Sequence, residues 1–278
     1  GLGDVYKRQP PYTGREKGGL APDEEVVVLT DNTSSLYLFP INGHTYNTYP
    51  NLLYPIMKIF LDTADVNEVK KRVDTGLISG ITTNPTLILQ SGRKPRDVYQ
   101  ELSDLDYITD ISMEVTANTA LHMYNIGIEL SDSFENATIK LPCTVEGLKA
   151  CHMLNDRKIR TNVTLVFSPE QAILASLAGA RYISPFIGRL DDNAWDGLRL
   201  INDIHNLYLP CCQILAASIR DAKSVSKAFA NGADVCTLPP AVFDKMYRHI
   251  LTDTGLAQFN KDDAETNSKA SDVPRYPQ

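Results

Sequence analysis

From position 57 onward the chain repeats one rhythm: a short apolar run, a loop, then a segment whose apolar residues recur at helical spacing. The apolar runs are MKIFLD, SGITTN, DISMEV, ATIKLP, TNVTLVF, RYISPFI, QILAAS and DVCTLP. The segments between them include DVNEVKKRVDTG, TALHMYNIGIELSD, TVEGLKACHMLNDR, SPEQAILASLAGA, WDGLRLINDIHNLYL and DAKSVSKAFANGA. Gly76, Gly179 and Gly232 fall where a helix C-cap belongs, and Ser168-Pro169 reads as an N-cap followed by a proline in the first helical position. Eight strands alternating with helices predict a single-domain α/β fold, the (β/α)8 TIM barrel. An open doubly wound sheet would want a glycine-rich phosphate loop after its first strand, and FLDTADVNEV holds no glycine.

The flanks follow a different pattern. Residues 1–56 carry Pro-Pro, Gly-Gly and Asn-Gly turn signals with no sustained helical period. The run EVVVL could form a strand, but no partner for it is evident nearby. Met57 opens MKIFLDTAD like a natural start, so 1–56 is expected to be a disordered or artefactual extension. The barrel is expected over 57–262, and the polar, proline-containing 263–278 as a flexible tail.

Composition narrows the function classes. The chain has 278 residues, 43% of them hydrophobic, and a net charge of -7, which argues against a nucleic-acid-binding face. No apolar run is long enough to span a bilayer and no signal peptide is evident. The five cysteines form no C-x-x-C pair, and the five histidines show no metal-ligand spacing. A reducing, cytoplasmic setting is expected, with neither metal nor cofactor; the vicinal Cys211-Cys212 reads as core or loop cysteine.

In such barrels chemistry gathers where strands end. Polar residues that an apolar core would not choose stand at those ends: Asp62, Asn84, Glu114, Lys140, Asn162 with Thr164, Ser184 with Arg189, and Ser218 with Arg220. Each has a plain alternative. Asp62 could cap the next helix, Asn84 could be a turn residue before Pro85, and Arg189 could pair with Asp191 or Asp192. Lys140 poses the sharpest question, because burying an ammonium costs several kcal/mol. Either it is paired with a carboxylate such as Glu114, or it is neutral and serves as an amine nucleophile. Two arginines that each follow a small hydroxyl residue suit an oxyanion such as phosphate. The inventory fits carbonyl chemistry on a phosphorylated sugar through a lysine Schiff base.

The blocks FLDTAD, GITTNPTL, IKLPCTVEGLKA, TNVTLVFSPEQA, AGARYISPFIGRLDD, ILAASIR and DVCTLPPAVF resemble the transaldolases, in the short bacterial and phage-like branch related to fructose-6-phosphate aldolase. The likeness runs from Met57 to about Asp262. It implies Lys140 as the Schiff-base nucleophile and Glu114 as a general acid/base acting through a water, assisted by Thr164. It implies that Asp62 moves protons on the donor hydroxyls, that Asn84 and Asn162 hold hydroxyls of the intermediate, and that Phe186 lines the site. Ser184, Arg189, Ser218 and Arg220 become the phosphate and substrate-end contacts.

The reaction so implied transfers a dihydroxyacetone unit from sedoheptulose 7-phosphate or fructose 6-phosphate to an aldose phosphate, in the non-oxidative pentose phosphate pathway. The alternative is an aldolase that releases free dihydroxyacetone. Related aldolases carry Gln at the position of Glu114 and Tyr at that of Phe186. A more remote alternative is a silent sugar-phosphate-binding barrel. The resemblance also implies a homo-oligomer, pentamer or decamer, assembled through the terminal segment PPAVFDKMYRHILTDTGLAQFNKD. The expected partners are sugar phosphates, with no nucleic acid and no membrane.

Overall fold

The computed structural model describes residues 26–30, 36–40, 57–209 and 212–271. The chain divides into two units, 1–54 and 55–278. In the first, strand β1 (Val26–Thr30) pairs antiparallel with β2 (Leu36–Pro40), Val28 opposite Leu38. This corrects the expectation that EVVVL has no nearby partner. The run LYLFP supplies one, because aromatic and apolar residues suit a short ladder as well as the β-branched valines do. The disorder expected of the rest of 1–56 lies outside the described residues, as does Cys211.

The second unit closes a parallel barrel in the order β3 (Lys58–Asp62), β4 (Ile78–Thr82), β5 (Asp110–Glu114), β6 (Ala137–Pro142), β7 (Thr161–Val166), β8 (Tyr182–Pro185), β9 (Gln213–Ala216) and β10 (Val235–Leu238), with β10 pairing back onto β3. This is the (β/α)8 barrel that the sequence rhythm predicts. Helices α1 (Val66–Val73), α2 (Pro85–Ser91), α3 (Pro95–Ser103), α4 (Ala120–Ser133), α5 (Val145–Asp156) and α6 (Pro169–Leu177) cover the first half. The second half is covered by α7 (Ile187–Asp191), α8 (Gly197–His205), α9 (Ala222–Ala230), α10 (Pro240–Met246) and α11 (Ile250–Ser271). Ser168 caps α6 through Gln171 N, with Pro169 next, as expected. Gly76, Gly179 and Gly232 adopt φ of +67°, +84° and +101°.

Two differences bear on the site. The run RYISPFI stops being a strand at Pro185, and IGRLD turns into the short helix α7 that follows β8. The tail expected from 263 is instead helical to Ser271. KDDAETNSKAS has no proline, and its polar side chains find partners one turn away, as in Gln258 to Asp262 (2.7 Å) and Thr266 to the Asp262 carbonyl (2.9 Å). Among the described residues no helix is long and apolar enough to cross a membrane.

Strand period decides what each face does. One set of alternating residues, including Leu61, Ile81, Ile111, Met113, Ile139, Leu141, Val163 and Ile183, is buried under the helices. The other set points into the barrel. Its waist is filled by a second apolar cluster of Phe60, Tyr182, Leu215, Ala217 and Val235. The Phe60 ring meets Tyr182 edge-on at 5.9 Å, and a Cβ on Gly80 would come within 2.6 Å of that ring. Phe60 thus occupies the space that Gly80 leaves. Two residues beyond Phe60, Tyr182 and Val235 the inward positions are the polar Asp62, Ser184 and Thr237, and the barrel's C-terminal end becomes a mouth over an apolar plug.

Candidate active site

The mouth is built by strand register. Asp62 of β3 lies beside Thr82 of β4, and Thr82 beside Ser112 of β5. Two residues up, Glu114 lies beside Lys140 of β6, and Lys140 beside Asn162 of β7. Paired residues of parallel strands share a face, so all of these side chains enter the barrel together.

Lys140 is buried, its side chain 5% exposed, and Nζ lies 3.0 Å from Glu114 Oε2, whose side chain is 16% exposed. Nζ also donates to the Thr83 carbonyl at 3.0 Å. Of the two explanations the sequence left open for this lysine, the structure supplies the carboxylate pairing. Partial exposure of Glu114 keeps the pair in reach of the mouth.

Asp62 is not the cap of the following helix. Asp65 takes that place, accepting from Asn67 N at 2.9 Å and Glu68 N at 3.3 Å, which leaves Asp62 to the barrel interior. Asp62 Oδ1 accepts from Thr82 Oγ1 at 2.8 Å. Burial pushes its carboxyl above the ordinary range, against the pull of the Lys140 ammonium and the Thr82 hydroxyl.

Asn162 is fully buried and oriented at both ends: Nδ2 donates to Ser112 Oγ at 3.0 Å, and Oδ1 accepts from Ser184 Oγ at 2.6 Å. Thr164 is also buried, and its Oγ1 has no hydrogen-bond partner among the described residues. Asn84 is shared with the fold, since its Oδ1 caps α2 through Leu87 N at 3.0 Å.

The two arginines are placed differently from each other. The Arg189 guanidinium stacks 5.0 Å from the centre of the Phe186 ring, which itself meets Phe167 edge-on at 6.0 Å. The fork of Arg220 is engaged by the Asp192 carboxylate, in an exposed pair with side chains 57% and 46% accessible. The ion pair at the C-terminal end of α7 therefore joins Asp192 to Arg220, not to its near neighbour Arg189. Gly188 brings the start of α7 against the end of β9: a Cβ there would lie 2.1 Å from the Ser218 carbonyl and 3.0 Å from Arg220 Nε. Ser218 itself holds a left-handed φ of +61°, an unusual conformation for a residue with a side chain. Among the described residues, no three His, Cys, Asp or Glu side chains gather as a metal site would need.

A family model described as "Transaldolase/Fructose-6-phosphate aldolase" matches residues 59–274. The chain belongs to this family. Relatives agree with the match. A "Probable transaldolase" of Caulobacter vibrioides is 51% identical over 213 residues, 76% of this chain and 98% of its own length. A "Probable transaldolase" of Moorella thermoacetica is 48% identical over 218 residues, 77% of this chain and all of its own. One from Nitrosopumilus maritimus is 45% identical over 221 residues, 78% of this chain and 99% of its own.

Within this transaldolase and aldolase barrel, the structure brings Asp62, Glu114, Lys140, Asn162 and Ser184 onto the inward face at the mouth, with Arg189, Ser218 and Arg220 at the α7 and β9 rim. It adds three contributors that the sequence reading passed over: the Thr83 carbonyl, Ser112 and Thr237. Thr237 Oγ1 lies 2.6 Å from Thr82 Oγ1. Ser112 could have been found by stepping two residues back from Glu114, and Thr237 by the period of DVCTLP. A hollow of about 540 Å³ at the loop after β5 is lined by Glu114, Thr116, Asn118, His122 and Pro142.

Proposed function

We propose that the protein is a transaldolase that moves a dihydroxyacetone unit between sugar phosphates through a Schiff base on Lys140. The observation that carries this reading is the Lys140–Glu114 pair at 3.0 Å, held inside the mouth of a barrel of this family. Glu114 can take the ammonium proton, leaving an amine to attack the ketose C2 carbonyl; water leaves as the imine forms. The protonated imine draws the electrons of the C3–C4 bond while Asp62 takes the proton of the C4 hydroxyl, and the aldose phosphate departs. The enamine left on Lys140 then attacks the aldehyde carbon of an acceptor, Asp62 returns its proton to the new hydroxyl, and hydrolysis frees the lysine.

In this reading Asn162 and Asn84 hold the hydroxyls of the three-carbon unit. The unpartnered Thr164 hydroxyl, together with Glu114, holds the water that is gained and lost. Ser184, Arg189, Ser218 and Arg220 receive the phosphate-bearing end, and Phe186 walls the site. Such an enzyme serves the non-oxidative pentose phosphate pathway. Borohydride with fructose 6-phosphate should add the mass of a reduced three-carbon unit to the protein and not to Lys140→Met; an adduct on that variant would overturn the assignment.

The family description also covers an aldolase. Glu114 and Phe186 occupy the two positions that the resemblance associates with the choice, and both favour transfer. Coupled assays with and without erythrose 4-phosphate separate the two: transfer predicts that turnover depends on the acceptor, and equal rates without it would favour the aldolase. A homo-oligomer is part of the proposal, supported by Ile250, Leu251, Leu256 and Phe259, which are exposed on α11. Light scattering of the intact chain should give a mass of several subunits, and a monomer would remove this part.

A further inference from the structure

Asp62 meets Thr82 as the second link of a chain. Thr82 Oγ1 donates to Asp62 Oδ1 at 2.8 Å and lies 2.6 Å from Thr237 Oγ1 on β10. A hydroxyl has one hydrogen. With Asp62 ionised, its oxygens only accept, so Thr82 commits its hydrogen to Oδ1 and the short contact to Thr237 must run the other way. Both threonines are 2% exposed, so bulk water does not compete for these bonds.

We propose that Thr237 and Thr82 form a directional hydroxyl relay that fixes Asp62 Oδ1 as an acceptor and reserves Oδ2 for the proton exchanged with the substrate, which makes Thr237 a positioning residue acting through Thr82. The proposal rests on the transaldolase reading through the role of Asp62 as proton carrier. Its physical content is cooperative polarisation. Thr237 donating to Thr82 makes Thr82 a better donor to the carboxylate, and a bond to a charged acceptor in a dry site gains most from this. The charged groups that face Asp62 are Lys140 from β6 and Glu114 from β5; β4 and β10 present hydroxyls.

The test is the acid limb of kcat against pH for Thr82→Val, Thr237→Val, Thr237→Ser and the double valine variant, with Tm measured for each. Thr82→Val should move the limb up by about one pH unit, the loss of one hydrogen bond to a charged group. Thr237→Val should move it up by roughly a few tenths of a unit, the share expected of a polarising neighbour. Thr237→Ser should restore the original limb, and adding Thr237→Val to Thr82→Val should move nothing further. Where Thr82→Val fails to fold, Thr82→Ala takes its place. A limb unmoved by losing Thr82, a downward shift on losing Thr237, or additive shifts in the double variant would overturn the relay. Failure of the parent reading looks different: Asp62→Asn would then keep the kcat of the unaltered protein.

Discussion

Lys140 and Glu114 are direct neighbours in the β5–β6 register, with Nζ 3.0 Å from Oε2, so the countercharge of the buried ammonium comes from the adjacent strand. A strand holds its side chains more tightly than a loop does, and the proton can pass between the two groups without backbone motion. Removing one partner leaves the other charge buried. Glu114→Ala should lower the unfolding free energy by about 3 kcal/mol. Glu114→Gln keeps a hydrogen-bond acceptor for Nζ and should largely keep the fold, while slowing adduct formation by roughly 100-fold. Urea unfolding read beside the rate of borohydride trapping separates the two effects. Trapping by Glu114→Gln at the original rate would remove Glu114 from the proton path.

The rim at α7 and β9 makes a prediction about affinity. Asp192 occupies the Arg220 fork; under the proposed function a phosphate would use that fork, and the carboxylate would compete with substrate. Arg220→Ala should raise KM for fructose 6-phosphate roughly tenfold or more, the worth of a charged contact, with a smaller effect on kcat. Asp192→Asn should lower KM by about two- to threefold, because an exposed pair contributes little. A higher KM in Asp192→Asn would mean that the carboxylate orients the guanidinium for substrate instead of competing for it.

Gly188 ties the same rim together through contact with rigid backbone. An added methyl would sit 2.1 Å from the Ser218 carbonyl, which cannot swing aside as a side chain would. Gly188→Ala should push α7 off β9 and cost about 1–3 kcal/mol of stability. It should also raise KM, because Ser218 and Arg220 lose their register with the start of α7. Unchanged KM in a destabilised variant would show that α7 braces the fold without shaping the substrate end.

Much of this architecture could be read from the chain. The eight strands were legible because inward and outward residues alternate, and Asp62, Glu114, Lys140 and Asn162 stood out because ionisable and amide groups are costly in a barrel core. Thr82 and Thr237 did not stand out, since a threonine in a strand is ordinary and its partner across the barrel is remote in sequence. Helices α2 and α3 escaped because Pro85, Gly92 and Pro95 divide the segment into pieces too short for a clear period. The opposite misreading carried the sixth strand past Pro185 to Ile187, the first residue of α7, since SPFI is apolar and the turn at Phe186 leaves no sequence mark. The rim pairing of Arg220 with Asp192 was hidden for a third reason: two acids stand next to Arg189, and only the fold decides which cation they meet.

At the opposite end of the barrel, Asp110 sets a pH dependence of stability. Its Oδ2 accepts from Thr138 at 3.0 Å and Tyr182 at 3.1 Å, with Arg160 Nη1 3.7 Å away, while Oδ1 is buried with no partner among the described residues. Burial pushes its carboxyl above the ordinary range, and the Arg160 guanidinium offsets only part of that. The folded state therefore holds the Asp110 proton more tightly than the unfolded chain does. The stability so gained is complete below the unfolded value and is lost as pH rises through the raised folded value. Asp110→Asn has no proton to lose and keeps an acceptor for Thr138 and Tyr182. Urea unfolding at pH 4, 5.5 and 7 (on the order of the window that such a carboxyl spans) should show the variant gaining on the unaltered protein as pH rises, then holding a constant margin. A margin that stays flat across the series, or narrows with rising pH, would mean that Arg160 compensates the buried charge in full.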